Sequence, residues 1–244
     1  MTSPPLLEVQ DLTVLRDNSS PLFSNLSFTL SEGEVLVLRG VSGSGKSTLL
    51  KCIAELNLYD KGTIKLGGKQ SREWDIPDWR IRVGYVPQRP SLLPGTPLEF
   101  LSTIRDLSAR KRKLGEDAQE GGEVVDSLDL AQDWGVDKVL WKRDWGTLSG
   151  GEAQRIALAV AVGIGGAEVL LLDEPTSALD AESSEKVEKS LLGMLPPLRG
   201  SSQNTKNNNN VQRKGTGPKA LIWITHSAEQ ADRVGTRSLD LSQH

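Results

Sequence analysis

The feature that most constrains this chain is the segment 34–50, EVLVLRGVSGSGKSTLL. Its residues 35–38 form a short apolar run typical of a buried parallel strand, and a helical pattern begins near Ser47 and Thr48. Between them, Gly40-x-x-x-x-Gly45-Lys46-Ser47 has the spacing of a phosphate-binding loop, in the strand–loop–helix setting that such a loop requires. The segment therefore predicts a protein that binds a nucleoside triphosphate.

The residue types in this loop suit that chemistry. Glycines let the backbone turn tightly and present N–H groups to phosphate oxygens, and the helix after the loop points its positive end at the same phosphates. We expect Lys46 to supply a point charge for the β- and γ-phosphates, and the Ser47 hydroxyl to be a hard oxygen ligand for Mg²⁺. A glycine-rich turn without a ligand is the alternative, which the strand–helix setting disfavours. The predicted nucleotide-binding residues of the loop are Gly40, Ser42, Gly43, Ser44, Gly45, Lys46, Ser47 and Thr48.

Composition limits the other classes of function. A chain of 244 residues can form one large domain or a core with a subdomain. With 29 Lys and Arg against 32 Asp and Glu, the overall charge gives no case for nucleic-acid binding. Cys52 is the single cysteine, which excludes an internal disulfide, and we expect it to be a small core residue. The N-terminus lacks the features of a secretory signal, and the apolar run 156–167 is too short to cross a membrane.

The remaining pattern predicts alternating strands and helices, with only helical periodicity from Pro97 to about Trp145. The basic run 110–113 is predicted to be a solvated helix end, with a nucleic-acid patch as the disfavoured alternative because no aromatic residues interleave it. The polar segment 196–218 is predicted to be a disordered surface loop, and a regulatory or docking role is the alternative. Further strands are predicted at 7–14, 26–30, 62–68, 83–86, 168–173 and 220–225, and helices at about 149–162 and 181–195.

A pair of carboxylates follows one of these strands. Asp173 and Glu174 end a run of aliphatic residues, at the edge of the sheet where ligands bind in open α/β folds. Asp173 is placed to hold Mg²⁺, directly or through water. Glu174 is placed to orient and deprotonate a water in line with the γ-phosphate. An exposed turn is the alternative, but so apolar a strand ending in two acids favours a catalytic role.

The motif LSGGEAQ at 148–154, followed by LLLDEPTSALD at 170–180, resembles the ATP-binding cassette of ABC transporters. The landmarks of that family fall in order over nearly the whole chain: the phosphate loop, Gln88, the signature at 148–152, the carboxylate pair, the D-loop at 177–180 and the switch histidine His226. The resemblance implies an α/β fold, with a phosphate-loop NTPase (RecA-like) core, an antiparallel β subdomain and an inserted helical subdomain. It implies one domain over 1–244, with the ATP-binding core at 1–88 and 154–244 and the helical signature subdomain at 89–153.

The resemblance also implies how the cassette works. Family members dimerise head to tail around two ATP molecules, so we expect a homodimer in which each signature faces the ATP of the partner. Ser149, Gly150 and Gly151, together with Asp180 of the D-loop, would then contact nucleotide.

The catalytic groups implied by the resemblance surround the γ-phosphate. His226 would contact that phosphate and hold the water of Glu174 in place. Gln88 would reach Mg²⁺ and mark the hinge between core and helical subdomain. The predicted catalytic residues are Lys46, Gln88, Glu174 and His226, and the predicted metal ligands are Ser47, Gln88 and Asp173.

Three positions depart from the family pattern without removing a catalytic group. Arg16 is the nearest match to the position where the family places an aromatic ring on the adenine, and its guanidinium stacks more weakly than a ring. Val160 stands where many members carry Arg, and Ser227 replaces a frequent Asp after the switch histidine.

The likeness is greatest to small stand-alone cassettes of the iron-export and aluminium-sensitivity type, above all over the segment 87–101. It implies an ATPase on the cytoplasmic side of a membrane, driving a separately encoded transmembrane subunit that exports a metal ion or small solute. The alternative is a soluble ABC-type ATPase without a membrane partner, acting in DNA maintenance or on ribosomes. The single cassette and the lack of sustained heptads disfavour it, and we expect no nucleic-acid partner.

Overall fold

Two β-sheets of different type organise the chain. A computed structural model describes residues 4–16, 20–90, 94–119, 125–198 and 217–243. Within these ranges the strands are β1 (Leu7–Arg16), β2 (Ser20–Leu30), β3 (Val35–Arg39), β4 (Lys61–Leu66), β5 (Lys69–Gln70), β6 (Val83–Val86), β7 (Val169–Asp173), β8 (Ala220–Ile224) and β9 (Arg237–Asp240). The helices are α1 (Lys46–Ile53), α2 (Ile76–Arg82), α3 (Pro97–Arg105), α4 (Ser108–Gln119), α5 (Ser127–Asp133), α6 (Gly150–Gly163), α7 (Ala181–Gly193) and α8 (Ala228–Val234).

The first sheet is antiparallel and has the order β2-β1-β4-β5. Val9 of β1 lies opposite Phe28 on one side and Ile64 on the other, so alternate side chains of these strands enter one core. Gly62 fits this sheet because a Cβ there would lie 2.6 Å from the carbonyl oxygen of Gln10. The predicted antiparallel β subdomain is confirmed.

The second sheet is parallel, with the order β6-β7-β8-β3-β9. Strands β7 and β8 are buried along their whole length and β3 over all but its last residue, as expected for a parallel sheet covered on both faces. Because the strands are parallel, their carboxyl ends meet at one edge. The predicted α/β phosphate-loop core is confirmed.

The described residues between β6 and β7 form helices and no strand, as their periodicity predicted. Helices α3, α5 and α6 pack around three buried tryptophans, Trp134, Trp141 and Trp145, in the same core as β7 and β8. The subdomain boundaries at 88/89 and 153/154 stay a prediction.

The basic run 110–113 differs from its prediction. The predicted exposure holds for Lys111, whose side chain is 61% exposed. The prediction is wrong for Arg110, which is buried and donates through Nη1 to the Gly165 carbonyl at 2.6 Å. Burial lowers the pKa of Arg110 to about 10. Arg112 pairs with Asp78 of α2 at 2.6 Å, so the run fastens α4 to the core.

Other sequence predictions have mixed outcomes. The predicted strands and helices are present, while α2, α8, β5 and β9 were not predicted. Cys52 is buried as expected, and burial raises the pKa of its thiol to about 12. Most of the predicted disordered loop, 199–216, lies outside the described residues. Among the described residues, no helix combines the length and hydropathy that a membrane crossing requires.

Candidate functional site

The predicted site lies at the carboxyl edge of the parallel sheet. The phosphate loop follows β3, Gln88 follows β6, Asp173 ends β7 and His226 follows β8. Four neighbouring strands thus deliver residues that are far apart in sequence to one place.

The phosphate loop is held by its own lysine. Lys46, 7% exposed, donates through Nζ to the carbonyl oxygens of Gly40 at 2.9 Å and Val41 at 3.0 Å. Gly45 caps α1 with φ of 94°, and a Cβ there would meet the Leu22 side chain at 2.8 Å. The first N–H groups of α1 have no partner inside the helix, so the loop presents an ammonium and backbone donors to an anion.

The serines and threonine of the loop differ in exposure. Ser42 is exposed, whereas Ser44, Ser47 and Thr48 are half-buried. Because Ser47 and Thr48 belong to the first turn of α1, their backbone N–H groups point toward the loop. The loop geometry therefore fits the predicted phosphate contacts, which stay a prediction.

Asp173 is fixed at both oxygens. Ser47 Oγ donates to Oδ1 at 3.1 Å and Tyr85 OH donates to Oδ2 at 2.9 Å, and Asp173 is 5% exposed. Burial, together with the charge of Asp173, raises the pKa of Tyr85, so the phenol stays a donor. The adjacent carboxylate and hydroxyl oxygens are the donor types that Mg²⁺ prefers. Tyr85 was not predicted, although its place in the VGYVPQ strand could have indicated it.

Two of the predicted catalytic residues contact the carboxylate of a third, Glu174. Gln88 Nε2 donates to Oε2 at 2.7 Å, and His226 Nε2 lies 2.9 Å from Oε1. The Glu174 side chain is 18% exposed and that of His226 is 57% exposed, so the group opens toward solvent. The backbone of Glu174 has φ of 48°, a left-handed conformation uncommon for a side-chain-bearing residue. The structure places Gln88 on Glu174, and its predicted contact with Mg²⁺ stays a prediction.

Gln154 ties three parts of the site together and was not predicted as a functional residue. It is 4% exposed, and its Nε2 donates to the carbonyls of Gln88 at 3.1 Å and Glu174 at 3.2 Å. Its Oε1 accepts from the N–H of Ala178 at 2.9 Å. Its neighbours in sequence, Ala153 and the charged Arg155, gave no signal of this role, because the partners of a buried amide are known only from the fold.

The signature residues begin α6. Ser149 and Glu152 form a reciprocal cap: Ser149 Oγ accepts from the Glu152 N–H at 3.3 Å, and Glu152 Oε2 accepts from the Ser149 N–H at 2.7 Å. Hydrogen bonding from Ser149, above all from its backbone N–H, lowers the pKa of the Glu152 carboxyl. Ser149 and Gly150 are exposed and Gly151 is half-buried. Within the described residues, Ser149 bonds to Glu152 and, through its carbonyl, to the N–H of Ala153, and none of these bonds reaches the phosphate loop.

Asp180 of the D-loop caps α7. Its carboxylate accepts from the backbone N–H of Ser183 at 2.8 Å and from the Ser183 hydroxyl at 2.9 Å, and these bonds lower the pKa of Asp180. The predicted contact of Asp180 with nucleotide therefore stays a prediction.

Arg16 lies at the rim of the phosphate loop. It is exposed, and its Nη2 donates to the Gly43 carbonyl at 3.5 Å. Phe23, the nearest ring in sequence, has no exposed surface and belongs to the core, as expected. The two other departures also have a structural setting. Ser227 caps α8 by accepting from the Gln230 N–H at 3.1 Å, and Val160 is buried among apolar residues.

Comparisons with known proteins agree with this geometry. A family model described as ABC transporter matches residues 23–177. The phosphate import ATP-binding protein PstB 2 of Aliivibrio fischeri is 33% identical over 97% of this chain and 80% of its own length. ABC transporter I family member 17 of Arabidopsis thaliana is 37% identical over 76% of this chain and 66% of its own length.

Structure comparison gives the same fold. The ATP-binding cassette MJ0796, solved as a dimer in a post-hydrolysis state with ADP and Pi, has a TM-score of 0.71 and 24% identity, covering 96% of this chain and 93% of the other. Several longer relatives are matched over only 23–30% of their length. With a cassette fold, a phosphate loop and a family match across most of the landmarks, this chain belongs to the ABC transporter family and is an ATP-binding cassette ATPase.

Proposed function

We propose that this chain is the ATP-hydrolysing subunit of an ABC transporter and drives a separately encoded membrane subunit. The observation that carries the proposal is the Glu174 carboxylate, held between Gln88 and His226 at the sheet edge that also bears the phosphate loop. A carboxylate at the end of a buried strand, oriented by two neighbours, is suited to be a general base.

The chain's own groups suffice to assign the roles. The β- and γ-phosphates lie on the backbone donors of the loop, and Lys46 neutralises their charge. A water oxygen attacks the γ-phosphorus, the bond to the leaving oxygen of ADP breaks, and Glu174 accepts the proton of the water. His226 positions that water and the γ-phosphate. Ser47 and Asp173, with Gln88, would hold Mg²⁺, which would offset phosphate charge when bound.

A second copy of the chain completes the site in this proposal. The 14-residue helix α6 begins with Ser149, Gly150 and Gly151, and its exposed N-terminus would face the γ-phosphate of the partner's ATP. Asp180 would lie near the same nucleotide. Two observations support this arrangement: these residues lie at the surface, and each of their helices begins with a hydrogen-bonded cap.

The membrane subunit would set the cargo. We propose a stand-alone cassette of the iron-export and aluminium-sensitivity type, held peripherally on the cytoplasmic side of a membrane and driving export of a metal ion or small solute. The name of the Aliivibrio fischeri relative speaks of phosphate import, so that relative does not support the export direction. Affinity purification of the tagged chain from detergent-solubilised membranes should recover a polytopic membrane protein in stoichiometric amount. Recovery of ribosomes or chromosomal proteins instead would contradict the transport proposal.

The role of Glu174 is tested by Glu174→Gln, which keeps the shape and one acceptor oxygen for Gln88 but removes the base. ATP binding should be retained, hydrolysis should fall by about 10²-fold or more, and ATP should convert the protein into a dimer visible by size-exclusion chromatography. Glu182→Gln, at an exposed position in the first turn of α7, is the matched control and should hydrolyse ATP normally. A Glu174→Gln variant with wild-type turnover would show that another group is the base.

A further inference from the structure

A cleft of about 560 Å³ lies beside Glu174 and His226, between the loop after β7 and helix α8. Thr176, Gln230 and Arg233 line it, and a buried carboxylate that the mechanism above does not use accepts hydrogen bonds from Gln230 and Arg233. That carboxylate is Glu188 of α7, which is 1% exposed. A buried charge of this kind needs close partners, since its desolvation is costly.

The partners of Glu188 come from α8. Arg233 donates to it twice, from Nε to Oε2 at 2.6 Å and from Nη2 to Oε1 at 2.9 Å. Gln230 Nε2 donates to Oε1 at 2.6 Å, and the same nitrogen donates to Thr176 Oγ1 at 2.8 Å. The four side chains form one continuous network with the carboxylate at its centre.

The network joins the two segments that carry the catalytic pair. Thr176 stands two residues after Glu174, and α8 begins at Ala228, two residues after His226. Gln230, 9% exposed, bridges these segments through one amide nitrogen. Glu188 fixes the rotamer of that amide and holds α8 against α7. A change in the network would therefore shift His226 relative to Glu174 before it disturbed the phosphate loop.

We propose that Glu188, Gln230 and Thr176 are positioning residues that set the distance between His226 and Glu174 during hydrolysis. The inference rests on the proposed roles of those two residues. A displacement of about 1 Å at a reacting centre can slow a reaction by about 10²-fold, so small rearrangements of α8 should be visible in turnover. Nucleotide binding, which depends on the phosphate loop, should not change.

The test is a charge exchange across the network. Gln230→Glu places two carboxylates against each other, and we expect kcat to fall at least tenfold while KM for ATP stays within twofold. Adding Glu188→Gln restores one donor facing one acceptor and keeps a carboxylate beside Arg233, so the double variant should recover most of the lost kcat. Thr176→Val removes a single hydrogen bond with little change in shape, and should lower kcat about threefold or more. Glu182→Gln on the same helix α7 is the control.

A cycle with His226→Ala separates positioning from general stability. If the network acts through His226, Gln230→Glu should add little to the loss already caused by His226→Ala, because coupled residues are not additive. The inference would be overturned if the losses of kcat caused by Gln230→Glu and His226→Ala multiplied when the two changes were combined. An unchanged kcat in both Gln230→Glu and Thr176→Val would overturn it as well. If Gln230→Glu does not fold, Thr176→Val alone decides by the same criterion. A His226→Ala variant with full activity would refute both the proposed role of His226 and this inference. If His226→Ala loses activity but the variants of the network keep theirs, only the inference is refuted.

Discussion

Replacing Gln154 with methionine should destabilise the protein by about 3 kcal/mol. The side chain is buried and makes three hydrogen bonds, to the carbonyls of Gln88 and Glu174 and from the N–H of Ala178. Each bond contributes about 1 kcal/mol net, and the backbone groups left behind are difficult to solvate. Methionine has nearly the same shape, so the loss reports the amide rather than a cavity. Turnover should fall as well, since two of the bonded segments carry the proposed catalytic residues Gln88 and Glu174.

Thermal unfolding by circular dichroism measures the effect. For a domain of 244 residues, 1 kcal/mol shifts Tm by roughly 2–4 °C, so the variant should melt about 6 °C or more below the wild type. Gln132→Met, at an exposed position of α5, is the matched control and should change stability by less than about 0.5 kcal/mol. A Gln154→Met protein that melts within 2 °C of its control, at roughly 1 kcal/mol or less, would refute the assignment of stability to these hydrogen bonds.

Three further predictions concern other parts of the chain. Wild type should bind GTP within about tenfold of ATP (1.4 kcal/mol), and Arg16→Tyr should tighten ATP binding and widen that gap in nucleotide titrations; a hundredfold preference in wild type would contradict it. Burial alone would raise the pKa of Glu168, but hydrogen bonds from Lys219 and Arg82 outweigh it and lower the pKa. Its stabilisation is therefore present above the ordinary pKa of 4.5 and is lost as the pH falls through the lowered folded value, so urea unfolding should separate wild type from Glu168→Gln at pH 7 and bring the two together toward pH 3. Because the pKa of Cys52 is about 12, iodoacetamide at pH 8 should label the unfolded chain and leave the native one unmodified.

The parts of the fold that sequence could predict are those with a strong local pattern. The apolar runs of β3, β7 and β8 have no polar interruption, so both their conformation and their burial could be read directly. Helix α8 has only seven residues, and β9, with the sequence RSLD, has no buried residue. Their conformation depends on neighbours, α8 on the Ser227 cap and β9 on pairing with β3. Local propensity carries little information about such elements.

The residues of the candidate site also differ in whether the sequence could predict them. Glu174 was predictable from the carboxylate pair that ends an apolar strand, and His226 from the family resemblance; the structure places the two side chains 2.9 Å apart. Gln154, Tyr85 and Glu188 act by supporting other residues, and their partners lie far away in sequence. Arg110 was wrongly predicted to be solvated. A basic run in a sequence suggests exposure, and the carbonyl group to which Arg110 donates is known only from the fold.

The left-handed backbone of Glu174 has a consequence for how this position can change. A residue with a side chain at φ of 48° raises the free energy of the folded state by roughly 1 kcal/mol relative to glycine, which adopts this conformation readily. Glycine at 174 would relieve this backbone penalty but would lose the carboxylate and its contacts with Gln88 and His226, whereas Glu and Gln both carry the penalty. In the proposed role, the backbone penalty at this one residue is a cost of placing the carboxylate where hydrolysis needs it.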